Sequence, residues 1–191
     1  MRYVQAGSAR ISVIGLGTWQ FGSREWGYGS DYAEREAVEI TQRALDLGIN
    51  LIDTAEIYGF GRSERIVGRA IAGRRDEAFL ATKVFPALPL ASIVEQRARS
   101  SARRLSVTDL DLYQVHWPNP LVPVSETMKG LASLLGDGIV RNAGVSNFTL
   151  GQWQAAEASL GRAVLSNPVQ YSLVARTPDR GGMVGWAEAN D

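Results

Sequence analysis

The sequence predicts an α/β fold in which parallel strands alternate with helices around one core. Short apolar runs, typical of buried parallel strands, alternate with amphipathic helix patterns along the chain. The alternation repeats about every 30 residues, which is the usual length of a strand–helix unit. The chain has 191 residues, 45% of them hydrophobic, which is enough for one sizeable core. We therefore expect a single domain over residues 1–191.

The predicted elements follow one another in a regular order. Residues 2–14 contain two alternating segments around Gly7 and Ser8, which predicts a β-hairpin. Beyond the loop GLGTWQFG, apolar runs predict strands at 49–55, 78–85, 110–117, 140–147 and 163–173. Helical periodicity predicts helices at 31–48, 63–73, 91–105, 125–138, 150–161 and 182–191. Thr149 and Gln152 match a capping box at the start of the helix at 150–161.

Four of the predicted strands carry a polar residue near their carboxyl end, and these residues are Asp53, Lys83, His116 and Ser146. In a TIM-type (β/α) barrel the carboxyl ends of the strands form a ring on one face, where the chemistry takes place. An open doubly wound sheet also gathers ligands at the carboxyl ends of its strands. However, no predicted strand is followed by the G-x-G-x-x-G pattern of such sheets. The sequence therefore favours a barrel.

The side chains at this ring suit proton transfer. His116 is the only histidine of the chain. A lone histidine beside apolar residues is often a hydrogen-bonded core residue, and Asp53 with Lys83 can be a structural ion pair. Tyr58 favours a catalytic role, because it places a phenol on the loop above the same ring. An ammonium near a phenol is expected to lower the phenol pKa from about 10 towards a useful range.

Composition argues against several classes of partner and site. Twenty basic residues balance twenty acidic ones, so neither nucleic acid nor an anionic membrane is expected as a partner. The absence of cysteine and the single histidine argue against a protein-bound metal. No window approaches the roughly 18 apolar residues of a membrane helix, and the first ten residues have no apolar signal core. We therefore expect a cytoplasmic protein.

Five segments of the chain, in order, resemble the aldo-keto reductase family. They are GLGTWQFG, GINLIDTAEIYGFGRSERIVGRAI, ATKVF, LDLYQVHWPNP and GIVRNAGVSNF. The resemblance runs over essentially the whole chain and implies an NADPH-dependent enzyme that reduces a small carbonyl compound. It implies that Tyr58 is the general acid and that Lys83, paired with Asp53, lowers the pKa of the phenol. It also implies that His116 orients the substrate carbonyl.

The same resemblance implies a cofactor site. Asp53 and the tripeptide Gly17, Thr18 and Trp19 match positions near the nicotinamide ribose and ring. The pair Ser146 and Asn147 matches residues directed at the nicotinamide carboxamide, although strand-end capping of the next helix is an alternative role for this pair. An apolar substrate pocket is expected from three tryptophans, which can also be simple packing residues: Trp19, Trp26 and Trp117.

The chain departs from the family at one cofactor position. In many relatives a glutamine lies three residues before the tyrosine of the sixth strand, and here that position is Pro168. Gln170 has the same strand parity as Pro168 and is expected to replace the missing amide. Proline in a central strand also removes a backbone donor from the sheet.

The larger departure from the family is length. The sequence predicts six strand–helix units and ends before strand seven, whereas the family barrel has eight units. The implied pyrophosphate loop and the grip on the NADP 2′-phosphate belong to the missing units. An open barrel edge also favours self-association. A non-catalytic regulatory or scaffold member of the same fold, or an inactive fragment, is therefore an alternative. A phosphate-binding barrel of other chemistry is a weaker one, because its phosphate loops usually follow strands seven and eight.

Overall fold

The computed structural model describes residues 1–27 and 31–190 of the chain. It begins with an antiparallel hairpin of two strands, β1 (Tyr3–Ala6) and β2 (Ala9–Ser12). The predicted hairpin is confirmed. Asn50 fixes the hairpin beneath the sheet, because its Oδ1 accepts a hydrogen bond from the Ser12 backbone N–H at 2.7 Å.

A five-stranded parallel sheet forms the centre of the molecule, with its strands side by side in chain order. These strands are β3 (Gly15–Gly17), β4 (Leu51–Asp53), β5 (Phe79–Val84), β6 (Leu110–Val115) and β7 (Val140–Val145). Every residue of β5 and β6 is buried, as expected for parallel strands covered on both faces. The α/β class is therefore confirmed.

Helices connect the strands and pack against the sheet. They are α1 (Asp31–Asp46), α2 (Arg62–Ala70), α3 (Ala91–Leu105), α4 (Val124–Gly136), α5 (Leu150–Leu160), α6 (Thr177–Arg180) and α7 (Met183–Asn190). Six of them were predicted from periodicity, whereas the four-residue α6 was not. The capping box at α5 is confirmed, with the Thr149 side chain and the Gln152 side chain each bonded to the other's backbone N–H. Within the described residues, no helix is long and apolar enough to cross a bilayer.

The predicted strand at 163–173 is not a regular strand. The segment runs beside β7 through three backbone hydrogen bonds, from Leu165 N to Ala143 O, from Val145 N to Ser166 O and from Asn147 N to Pro168 O. Pro168 has no N–H to return a bond, and the alternation of donors stops there. Beyond it, Leu173 and Val174 are almost fully exposed. Self-association through this edge stays a prediction.

The amino-terminal end of the sheet is closed by paired charges. The Asp111 carboxylate accepts the Leu80 backbone N–H at 2.8 Å. It also forms ion pairs with Arg75 at 2.8 Å and with Arg141 at 3.3 Å. These contacts compensate the Asp111 carboxylate at this end. The predicted site residues lie at the opposite, carboxyl end of the sheet.

Candidate active site

The carboxyl end of the sheet brings the predicted ring of polar residues together. Asp53 is the last residue of β4 and Lys83 is the penultimate residue of β5. His116 and Ser146 follow β6 and β7 directly, and Val115 lies opposite Val145 in the register. Parallel pairing therefore places all four residues at one edge, as their spacing predicted.

Lys83 is the buried centre of the site. Its residue is 3% exposed, and its Nζ donates to both carboxylate oxygens of Asp53 at 2.7 Å and to the Thr54 carbonyl at 2.9 Å. Burial lowers the pKa of Lys83, and the adjacent carboxylate of Asp53 opposes that shift. The carboxylate side chain is 32% exposed and so connects the buried ammonium to the open face of the site.

Tyr58 opens a short turn after β4 and directs its phenol at the same ammonium. Its hydroxyl oxygen lies 3.4 Å from Lys83 Nζ, which in turn lies 5.2 Å from the centre of the tyrosine ring. The turn passes close to the loop after β3, because a Cβ added at Gly59 would lie 2.9 Å from the Gly22 carbonyl oxygen. Gly59 also has a φ of 54°, a region that favours glycine.

The expected lowering of the Tyr58 pKa is wrong. Burial of the phenol, and then the negative charge of Asp53, raise the pKa of Tyr58 to about 12. Lys83 does not reverse this effect, because two short contacts with Asp53 largely offset its positive charge. The phenol is therefore a protonated donor throughout the neutral range.

His116 lies beside the phenol as a neutral ring. Its ring centre is 5.7 Å from that of Tyr58 in an edge-on contact, and it stacks on Trp117 at 3.7 Å. Burial, and then the charge of Lys83, lower the pKa of His116 to about 4. Its buried Nδ1 has no hydrogen-bond partner within the described residues. The alternative role of His116 as a hydrogen-bonded core residue is therefore not favoured, because such a residue would have a partner for its buried nitrogen.

A family model described as the aldo/keto reductase family matches residues 13–191. The chain belongs to the aldo-keto reductase family. An uncharacterized oxidoreductase of Mycobacterium tuberculosis is 52% identical over 91% of this chain and 54% of that protein. The chain spans about half the length of the curated relatives it matches.

Solved structures of aldo-keto reductases have the same fold. The thermostable aldo-keto reductase Tm1743, solved with the inhibitor epalrestat, is 32% identical with a TM-score of 0.92 over 100% of this chain and 70% of that one. An aldo-keto reductase from Klebsiella pneumoniae, solved with NADP and acetate, is 31% identical with a TM-score of 0.84 over 96% of this chain and 62% of that one. The TIM-type (β/α) barrel is therefore confirmed as the fold class.

Of the expected cofactor residues of this aldo-keto reductase chain, Thr18 faces inward. It is fully buried, and its Oγ1 and backbone N–H both donate to the Asp53 carbonyl, at 3.0 and 2.9 Å. Its Oγ1 also lies 2.7 Å from Ser63 Oγ, which is 3.0 Å from Thr54 Oγ1. The hydroxyl of Thr18 thus holds the end of β4 in place. The neighbouring Gly17 is exposed, with open space on the side where a Cβ would stand.

The Ser146–Asn147 pair joins two strand ends. Asn147 is exposed and has a φ of 60°, and its Nδ2 donates to the His116 carbonyl at 3.1 Å and to Ser146 Oγ at 3.0 Å. Ser146 is buried, and its Oγ lies 3.4 Å from the Pro168 carbonyl oxygen. The pair does not cap α5, because Thr149 does so. The bonds of Asn147 Nδ2 fix the orientation of its exposed amide.

The remaining predicted residues lie on exposed surface. Gln170 is exposed and makes no hydrogen bond in the part of the chain that the structure describes. Trp19 is 65% exposed, Trp117 is 40% exposed, and Trp26 is also exposed. Trp117 is the tryptophan tied most clearly to the site, because it stacks on His116 and contacts Phe85 edge-on at 6.0 Å.

Sequence reasoning missed an acidic residue that braces the site. Glu56 Oε1 accepts hydrogen bonds from the Phe85 backbone N–H at 2.6 Å and from Arg97 at 3.0 Å. Arg97 also donates to the Phe85 carbonyl at 2.7 Å. Burial raises the pKa of Glu56, although these bonds and charges oppose the shift. The one feature of the sequence that could have indicated a role for Glu56 is its position between Asp53 and Tyr58. The network ties the loop of Tyr58 to the strand of Lys83.

Proposed function

We propose that this chain carries the catalytic residues of an NAD(P)H-dependent oxidoreductase that reduces an aldehyde or ketone to an alcohol. The observation that carries the proposal is the convergence of three groups at one sheet edge: the phenol of Tyr58, the buried ammonium of Lys83 and the neutral ring of His116. A purely structural ion pair between Lys83 and Asp53 would not need the Tyr58 hydroxyl 3.4 Å from Lys83 Nζ. In a reductase, this hydroxyl can donate the proton that the substrate oxygen requires.

Tyr58 is the proposed general acid. Its raised pKa keeps the proton on the phenol at neutral pH, ready for the oxygen of a carbonyl group that is being reduced. An alkoxide is a far stronger base than a phenolate, so transfer of this proton is downhill. The phenolate that remains lies within reach of Lys83 Nζ, which donates to it, while Asp53 keeps the ammonium in place.

His116 is the proposed orienting residue. A neutral imidazole carries one N–H, which can donate to the substrate oxygen alongside the phenol. Stacking on Trp117 and edge-on contact with Tyr58 hold the ring against rotation. Positioning of this kind supplies much of the rate enhancement in reactions between two bound molecules.

NADPH is the proposed cofactor, and when bound it supplies the hydride for the carbonyl carbon. The open space at Gly17 and the exposed, oriented amide of Asn147 fit a nicotinamide ring with its carboxamide. The related Klebsiella pneumoniae enzyme was solved with NADP. Exposed surfaces of Trp19 and Trp117 suit a small carbonyl substrate with apolar groups.

Titration of the purified chain with NADPH tests the cofactor part of the proposal. We expect saturable quenching of tryptophan fluorescence, because Trp117 stacks on His116 at the proposed site. Asn147→Ala should weaken binding, whereas Arg162→Gln, on an exposed residue after α5, should not. A cooperative melt by circular dichroism must accompany each titration. A chain that melts cooperatively and shows no saturable quenching would contradict the proposal.

A further inference from the structure

A basic groove lies on the outer surface between helices α2 and α3. It is open to solvent and has a volume of about 790 Å³. Its lining consists of Arg62, Arg65 and Arg69 of α2, Arg103 and Arg104 of α3, and Glu34 of α1. The three arginines of α2 are spaced three and four residues apart, which places them on one face of the helix. Ser100 and Ser106 add hydroxyl groups to the lining.

Two of these arginines are neutralised by carboxylates. Arg69 pairs with Glu34 at 2.8 Å, and Arg104 pairs with the fully buried Glu64. By contrast, none of the carboxylates whose side chains the structure describes lies at ion-pair distance from Arg62, Arg65 or Arg103. Within the described side chains, three guanidinium groups of the groove are therefore without a carboxylate partner.

Some other arginines on the surface are paired with carboxylates. Arg74 contacts Asp46 at 2.8 Å and Glu77 at 2.7 Å, and Arg99 contacts Asp137 at 2.6 Å. The whole chain has a formal net charge of zero, so an unbalanced cluster is a local feature rather than a consequence of composition. Mutual repulsion of the three free guanidinium groups is relieved when an anion binds among them.

Local helix electrostatics does not account for the cluster. Arg62 is the first residue of α2 and Arg65 is the fourth, and the positive end of a helix dipole disfavours cations there. Of the three arginines without a described carboxylate partner, Arg103 alone lies in the last turn of its helix, where the dipole favours a cation. Arg62 and Arg65 therefore gain nothing from their own helix.

Two of the free guanidinium groups are held in position. Arg62 donates to the Gly22 carbonyl at 3.3 Å, and Arg103 donates to Ser100 Oγ at 2.8 Å. A guanidinium has five N–H donors, so one bond leaves several for a ligand. Positioned donors bind with a smaller loss of side-chain entropy than mobile ones.

We propose that the basic groove binds a small anion with two or more phosphate groups. Guanidinium groups bind phosphate oxygens in pairs of parallel hydrogen bonds, and three free charges match an oligophosphate better than a single phosphate. The groove volume also exceeds what one phosphate fills. This site is independent of the proposed reductase function, because none of its residues belongs to the strand-end site.

Calorimetric titration of the full chain with inorganic tripolyphosphate at fixed ionic strength tests the proposal. We expect one saturable site, bound at least tenfold more weakly by an Arg65→Gln/Arg103→Gln double variant. The matched control is Arg43→Gln/Arg162→Gln, which removes the same charge from two exposed arginines outside the groove. This control should bind as the unchanged chain does. Asn147→Ala should also bind tripolyphosphate normally, which separates the groove from the proposed NADPH site.

Three results would overturn the proposal. One is equal weakening by both double variants, which would indicate a response to net charge alone. Another is equally tight binding of orthophosphate or citrate, which would remove the preference for linked phosphates. The third is the lack of a saturable phase in a chain that melts cooperatively. The substituted side chains are exposed, so circular dichroism should show that the variants stay folded.

Discussion

Lys83 and Asp53 form a two-pronged contact, with the ammonium nitrogen 2.7 Å from each carboxylate oxygen. This ion pair has two opposite effects on the site. It keeps a buried ammonium charged next to the phenol of Tyr58, and it places a negative charge where that charge opposes ionisation of the phenol. The balance of the site therefore depends on Asp53 as much as on Lys83.

Asp53→Asn should lower the pKa of Tyr58 from about 12, because burial of the phenol then remains without the added effect of the carboxylate. The variant should also lose about 3 kcal/mol of unfolding free energy, since the Lys83 charge stays buried without its partner. Carbon NMR of tyrosine labelled at Cζ measures the pKa, with the signal assigned by Tyr58→Phe. A phenol pKa that stays the same or rises would show that Asp53 does not control it.

Acid should destabilise the chain through His116. The unfolded ring protonates near 6.5 and the folded ring only near pH 4, so the unfolded state binds more protons between these values. Unfolding free energy should therefore fall as pH drops through this window, with a contribution of about 3 kcal/mol from His116. Urea melts at pH 7 and pH 4.5 measure the change. His116→Gln should show a smaller change, and an identical pH dependence would refute the assignment.

Glu64 should be important for stability although it lies outside the catalytic ring. It is fully buried and accepts hydrogen bonds from Thr82 at 2.7 Å and from Arg104. Glu64→Gln removes the charge that compensates Arg104 and should cost about 3 kcal/mol. Glu126→Gln breaks the exposed pair with Lys129 and should cost under about 1 kcal/mol. Similar losses for both variants in urea melts would contradict this account.

Close packing of α2 on α3 can be tested at a glycine. A Cβ added at Gly68 would lie 2.6 Å from the Leu105 carbonyl oxygen, so Gly68→Ala should cost about 2 kcal/mol. Gly136, the last residue of α4, has open space around it, and Gly136→Ala should be stabilising by about 0.5 kcal/mol. Thermal melts compare the two. A neutral Gly68→Ala would mean that the helices can move apart at little cost.

The strand-end ring could be predicted from sequence because it depends on spacing alone. Parallel strand–helix units of similar length bring every strand end to one edge, so Asp53, Lys83 and His116 had to converge. Tyr58 followed from its place on the first of these loops. No long-range contact had to be known for these predictions.

Two features depended on three-dimensional contacts and could not be predicted. The pKa of Tyr58 is set by how deeply the phenol is buried and by how closely Asp53 offsets Lys83, and neither is a property of spacing. Glu56 resembles a solvated loop residue in sequence, and only the fold brings Arg97 and the Phe85 amide to it.

The irregular sixth strand shows the limit of pattern reasoning. Residues 163–173 have the apolar alternation of a strand, yet Pro168 removes a donor at the point where pairing with β7 should continue. The pattern of side chains was strand-like and the backbone hydrogen bonding was not. Gln170 consequently lies on an exposed, irregular segment, and its role in cofactor binding stays a prediction.

Transfer of deuterium from NADPH labelled at the nicotinamide 4-position tests the central claim most directly. The chain is incubated with an aromatic aldehyde, and mass spectrometry follows deuterium in the alcohol. We predict one deuterium on the carbinol carbon, formed about 10²–10⁴ times more slowly by Tyr58→Phe, because general acid catalysis contributes on that scale. Equal rates for the two proteins, or no labelled alcohol from a chain that binds NADPH, would contradict the claim.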